Sequence, residues 1–229
     1  IKTGKIYDYK FDKFAENNAS IIYTNRYNER MDYKPIMVPG ILVILVSVIG
    51  MFLSAMSIAK EKELGTIEQL NVTPILKHQL IIGKLIPVLI IGLLEFSGGL
   101  LIAKFVFAIK IAGSVLLIYA YTTVFLIVML AFGMLISTLV ETQQQAMFLC
   151  WFFIVIFILL SGLFTPIESM PRWAQILTDF IPMKYFIQTL RAIILKGAGF
   201  KELQTQFAAL AGYAIAILSF AYFQYHKVK

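Results

Sequence analysis

The chain has 229 residues, of which 59% are hydrophobic and only 14% charged, and its mean hydropathy is +0.81. Soluble domains are about 45–50% apolar and about 25% charged, so this composition excludes an ordinary soluble enzyme and points to a polytopic membrane protein. The net charge of +7 comes with no basic stripe interleaved with aromatics, so nucleic acid is not an expected partner. Lys and Arg flanking spans set among membrane lipids account for it instead.

Residues 1–34 are polar and aromatic, with Asn17, Asn18, Asn25 and Asn28. No apolar run there is long enough to cross a bilayer, and the segment reads as the end of an extramembrane domain. The first predicted span is 36–59, which carries no charge and exceeds the roughly 20 residues a crossing needs. Pro39 is placed in its first turn, where a missing N–H costs little. Ala55 and Ala59 form a small-xxx-small pair suited to close helix packing.

A charged stretch follows. Over residues 60–72, Leu64, Ile67 and Leu70 recur every third position, while Glu61, Glu63 and Glu68 point elsewhere. That pattern predicts a short amphipathic helix, too charged to cross. Thr73-Pro74 then reads as an N-cap with proline at the first helical position.

The second predicted span is 78–104. It contains Lys84 and Glu95, which share a face about 16 Å apart along the axis and so do not pair. Lys84 is expected to snorkel to the membrane edge. Glu95 lies nearer mid-span and is a candidate for function, as intramembrane carboxylates are by default; a bundle-facing, hydrogen-bonded acid is the structural alternative. The third span, 111–140, has 30 residues without a charge, which suggests tilt or an extension beyond the bilayer. The fourth is 142–164, introduced by Glu141 and Gln143–Gln145. Short connections make these spans antiparallel neighbours.

Residues 165–201 have a different texture. Ser169 is a possible N-cap, with Pro171 inside the first turn of a helix over 171–180. Trp173, Ile176, Leu177 and Phe180 share its apolar face, which is expected to lie on the bundle. Pro182 stops that helix, and a second runs over 183–196 with a polar stripe of Lys184, Gln188 and Arg191, closed by Gly197 and Gly199. Each piece is too short to cross, so the pair reads as a re-entrant hairpin. The last span is 203–225, with Tyr222, Phe223 and Tyr225 as an interfacial belt and Lys227 and Lys229 as anchors.

The fold class is therefore all-α and polytopic with five crossings, which puts the two ends on opposite sides. Orientation is ambiguous by charge. The charged stretch and the C-terminal tail share a side with six of the twenty Lys and Arg, so naive positive-inside counting puts that side outside. Seven of the other fourteen fall within residues 1–34, where charges on a translocated domain count for little.

Two motifs resolve the ambiguity by resemblance. "AKEKELGTIEQLNVTP", residues 59–74, closely resembles the coupling segment of type-2 ABC exporter permeases, through Glu61, Glu63, Gly65, Thr66, Glu68, Leu70, Thr73 and Pro74. "SGLFTPIESMPRWAQILTDFIPMKYFIQTLRAIILKG", residues 161–197, resembles the same family's external hairpin, through Ser161, Gly162, Pro166, Met170, Pro171, Trp173, Pro182, Tyr185 and Arg191. "YNERMDYKPIMVPG" is a weaker match that lacks the family's proline after Asn28. The resemblance covers about residues 20–229.

It implies an ABC type-2 transmembrane domain over 35–229 after the end of an extracytoplasmic domain at 1–34. It implies six spans in the full protein, a cytoplasmic coupling helix, and a bacterial inner-membrane location. The implied partners are an ABC ATPase subunit, docked through Glu61, Glu63, Gly65, Thr66, Glu68, Gln69 and Leu70, and a second permease copy or related permease. ATP and Mg²⁺ would be held by the ATPase, because this chain has no GxxxxGK[ST] loop. The hairpin residues Pro166, Pro171, Trp173, Pro182, Tyr185 and Arg191 would line or gate the outer exit. No catalytic group, no cofactor in this chain and no metal site is expected: His78 and His226 stand alone, and Cys150 reads as a small buried hydrophobe. The competing functions are an ATP-independent transporter or channel, which needs an ionisable relay beyond Glu95, and a structural membrane anchor.

Overall fold

The computed structural model describes residues 33–65 and 77–225, which belong to one compact unit beginning at Tyr33. No strand occurs among the described residues. Among the described residues, five helices are long and apolar enough to cross a membrane: α1 (Lys34–Glu63), α2 (Lys77–Phe105), α3 (Val115–Leu139), α4 (Gln143–Leu160) and α7 (Gln204–Tyr225). Two short helices, α5 (Arg172–Asp179) and α6 (Pro182–Arg191), lie between α4 and α7. This is a multi-pass membrane protein. Below, the end of the bundle where α1 finishes and α2 begins is the charged end, and the opposite end is the hairpin end.

α1 and α3 form the centre. Half of the apolar stretch of each is buried, against 22% for α2 and α4 and 17% for α7. The pair approaches closely because small residues line it. A Cβ on Gly133 would collide with the Met51 carbonyl, and one on Gly50 would sit 3.1 Å from Met129. Ala55 and Ala59 are wholly buried, and Ser54 Oγ donates across the interface to the Leu130 carbonyl at 2.8 Å. Lipid tails are as apolar as Leu, so such close packing and interhelical bonds are what holds spans together. α2 and α4 lean on α1, and α7 leans on α3. Outward-facing Ile, Leu and Phe on these peripheral helices suit a lipid surround.

Several sequence expectations shift. The first span does not end at Ala59; Lys60–Glu63 continue α1 as its last turn. The helix stops at Leu64-Gly65, where Gly65 adopts φ 67°, a conformation cheap only for glycine. A separate charged helix therefore does not begin at residue 60, and residues 66–76, with Thr66, Glu68, Gln69, Leu70 and the Thr73-Pro74 cap, lie outside the described residues. Pro35 holds the first-turn place assigned to Pro39, which lies inside the helix. The third span is shorter than 111–140. The residues before Ser114 form a non-helical linker that docks on the hairpin, with Ala112 N–H donating to the Ile194 carbonyl at 3.0 Å. The fourth span ends at Leu160, just before Gly162 at φ 78°.

Candidate functional site: the two ends of the bundle

At the charged end, three consecutive side chains of α1 reach three different helices. Glu61 forms an ion pair with Lys84 of α2, and neither side chain is more than 27% exposed. Lys84 thus has a protein partner. Lys62 Nζ donates to the carbonyls of Ser137 at 2.5 Å and Val140 at 3.1 Å, where α3 ends. Glu63 Oε2 accepts from the backbone N–H and the side-chain Nε2 of Gln143, at 3.1 and 3.0 Å, where α4 begins. The α3–α4 turn is itself capped. Thr142 Oγ1 accepts from Gln145 N–H at 3.3 Å, and Gln145 Oε1 accepts from Glu141 N–H at 3.0 Å, a reciprocal arrangement close to a capping box.

At the hairpin end, two short helices meet at a break. Pro166 opens a 3₁₀ turn over Ile167–Ser169. Pro171, not Ser169, occupies the N-cap of α5, and its carbonyl accepts from Ala174 and Gln175 N–H at 3.0 Å. Pro182 is the first residue of α6, so the second helix starts one residue before Met183. α6 passes into a π turn over Ala192–Lys196 and ends at Gly197, φ 67°. The non-helical backbone at the break is satisfied by protein. Ile181 N–H donates to the Thr178 carbonyl at 3.1 Å, and the Asp179 carbonyl accepts the hydroxyls of Tyr185 at 3.0 Å and of Tyr213, on α7, at 2.5 Å. Lys184 bonds Asp179 Oδ1 at 2.5 Å.

The apolar face of α5 does not lie on the bundle. Ala174 and Thr178 are the buried residues, while Trp173 is 66% and Phe180 69% exposed, and Ile176 and Leu177 point outward with them. The small side chains permit close approach to α4 and α6, and the bulky ones are left outside. α6 behaves as expected, with Met183, Phe186, Ile187 and Leu190 buried and Gln188 exposed. Phe186 stacks on Phe125 of α3 at 4.3 Å. Arg191 is half-buried and donates Nε to the Ile36 carbonyl at 3.1 Å, in the α1 turn that Pro39 interrupts. Burial pulls its pKa below the usual arginine value.

Between α1 and α4 runs a groove of about 330 Å³, lined by Val48, Phe52, Met147, Phe148 and Trp151. Cys150 faces away from it, buried, with Sγ 3.9 Å from the Met51 carbonyl. Glu95 is partly buried, and its Oε2 has no hydrogen-bond partner among the described residues. No cluster of three or more His, Cys, Asp or Glu occurs among the described residues.

These features accompany a family match. The model of the ABC-2 family transporter protein covers residues 7–223. The chain belongs to the ABC-2 family. It is 37% identical over 182 residues to the probable multidrug ABC transporter permease YbhR of Escherichia coli (strain K12), covering 80% of this chain and 50% of that protein. It is 27% identical over 224 residues to the inner membrane transport permease YhhJ of the same organism, covering 94% and 59%. It is also 23% identical over 224 residues to ABC transporter G family member 20 of Dictyostelium discoideum, covering 92% and 30%. The chain thus spans about half the length of the bacterial relatives it matches. No solved structure matches it.

Within this ABC-2 chain, sequence reasoning named Glu61 and Glu63 for ATPase docking and did not foresee their bonds within the chain to Lys84 and Gln143, nor the bonds of Lys62 to the end of α3. The alternating signs of Lys60-Glu61-Lys62-Glu63 were the available signal. Their meaning depends on which helix end lies opposite each charge, and periodicity does not carry that information.

Proposed function

We propose that this chain is the permease of an ATP-driven exporter, working as a pair of permeases and coupled to separate ABC ATPase subunits that bind ATP and Mg²⁺. The observation that carries the reading is the charged segment at residues 59–74, set between two spans of a chain that belongs to the ABC-2 family. The end of α1 leads directly into that segment, which suits a contact with an ATPase on the cytoplasmic side of a bacterial inner membrane. The transported compound is hydrophobic or amphipathic. Support comes from the apolar groove between α1 and α4 and from relatives described as probable multidrug permeases. In this reading the hairpin with Pro166, Trp173, Pro182 and Arg191 borders the outer exit, and nucleotide-driven movement of the ATPases switches the spans between states.

The test is co-purification with the ATPase encoded in a neighbouring reading frame, followed by ATP hydrolysis in lipid vesicles. The wild-type pair is expected to assemble. Replacing Glu68 and Gln69 together by Ala, which leaves the intrachain bonds of Glu61 and Glu63 intact, is expected to leave the protein inserted while abolishing ATPase binding or stimulation. Unchanged complex yield and unchanged stimulation would reject the docking segment. A second reading, an ATP-independent transporter, draws on the unpartnered Glu95 Oε2. Export that survives loss of the ATPase but not Glu95→Gln would favour it.

A further inference from the structure

Lys62 and its two neighbours form one device. Successive residues on a helix are 100° apart, so Glu61, Lys62 and Glu63 fan across α1 and meet α2, α3 and α4 in turn. The signs match what each meets. The last carbonyls of a helix lack partners and form the negative pole of its dipole, and the first N–H groups form the positive pole. Lys62 sits on the carbonyls ending α3, and Glu63 sits on the N–H that opens α4. The α3–α4 turn occupies only residues 140–142, which brings two opposite poles side by side. A Lys-Glu dipeptide is the order that satisfies both; Glu-Lys would set each charge against a like pole. Gly65, at φ 67°, ends the clamped turn, and the rest of the coupling segment follows it in sequence.

We propose that Glu61, Lys62 and Glu63 clamp the charged ends of α2, α3 and α4 to the last turn of α1, so that movement of the coupling segment is delivered to all four helices as one body. Lys62 is the central positioning residue, and Lys84 on α2 and Gln143 on α4 are the partners of Glu61 and Glu63 beside it. This rests on the coupling reading above. Carbonyl and carboxylate bonds near 3 Å are lost over a small displacement, so they add a constraint on register to the packed apolar faces. The clamp therefore fixes how α4 moves when α1 moves, and with it the width of the α1–α4 groove.

The experiment uses the permease–ATPase complex in lipid vesicles. An environment-sensitive fluorophore is placed at Met147→Cys, with Cys150→Ser and a cysteine-free ATPase, and its emission is followed on trapping with ATP and vanadate. Met147 lines the groove one turn beyond Gln143. Lys62→Met keeps the stem and removes the charge. It is expected to leave complex yield and ATP hydrolysis near wild type while cutting the emission change at least about fivefold, the lower end of typical coupling effects. Lys62→Arg is expected to restore it. Glu61→Lys is expected to lose the response and the double variant Glu61→Lys, Lys84→Glu to regain it, which keeps the test decisive if Lys62→Met does not assemble. A full emission change in Lys62→Met, or no recovery in either rescue, overturns the clamp. Failure of the wild-type chain to bind any ATPase would instead sink the coupling reading, and the clamp's role with it.

Discussion

The two ends of this bundle solve opposite problems. At the charged end, Glu61, Lys62 and Glu63 all find partners inside the chain, so the charges knit four helices together. At the hairpin end, α5 turns Trp173, Ile176, Leu177 and Phe180 outward and keeps only Ala174 and Thr178 for the protein. Polarity alone would suggest the reverse, with charges reaching for water or a partner and apolar rings reaching for the core. Helix ends explain the first case, because their unsatisfied carbonyls and N–H groups are local partners for charge. Close packing explains the second, because a short helix wedged against α4 and α6 has room only for small side chains on its inner face. Its outer face has the composition of an interfacial helix, with aromatic and aliphatic residues on one side and Arg172, Gln175 and Asp179 elsewhere.

The contrast breaks most sharply on sidedness. Single cysteines at Gln69 and Gly199 are expected to react with a membrane-impermeant reagent from opposite sides of intact cells, Gly199 from outside and Gln69 only after lysis. Labelling of Gln69 from outside would reverse the two ends and favour charge counting over the family motifs. Next in size is the central pair that holds both ends in register. Gly133→Leu drives a side chain into the Met51 carbonyl and is expected to cost about 1–3 kcal/mol or more, read as a lower Tm and poor recovery in detergent. A normal Tm would mean that α1 and α3 are not closely packed.

Within the hairpin, Tyr213→Phe removes one of two hydroxyls donated to the Asp179 carbonyl. The expected loss is about 1 kcal/mol, seen as faster amide exchange over residues 179–182 with little change in the spans. Equal exchange in both proteins would show that Tyr185 alone satisfies the break. The smallest stability effect is expected for Trp173→Ala. Its ring is mostly exposed, so Tm in detergent is expected to stay within about 0.5 kcal/mol equivalent of wild type. Export of a lipophilic dye is expected to fall clearly if the hairpin gates the exit. Normal dye export would leave α5 as a static interfacial helix and sharpen the difference between an end that moves and an end that seals.

Five crossings, their order and the short hairpin helices were legible in the sequence. Charge-free runs longer than about 20 residues have one low-energy solution in a bilayer, the α-helix, since every backbone group must be satisfied within the segment. Proline at 171 and 182 and glycine at 197 marked the hairpin's breaks, because backbone geometry at those residues is a local property, whereas the breaks at Gly65 and Gly162 fell inside predicted helices and were not read. The family itself was readable from residues 59–74 and 161–197. Tertiary structure alone decided what the charges and the apolar faces do. Lys84 pairs with Glu61 across 23 positions of sequence and Lys62 reaches Ser137 across 75, and α5 hides its small residues, not its large ones. Those outcomes depend on which helix end or which neighbouring surface stands opposite a side chain. Hydropathy and period are properties of one segment at a time, and they describe a helix without naming its neighbour.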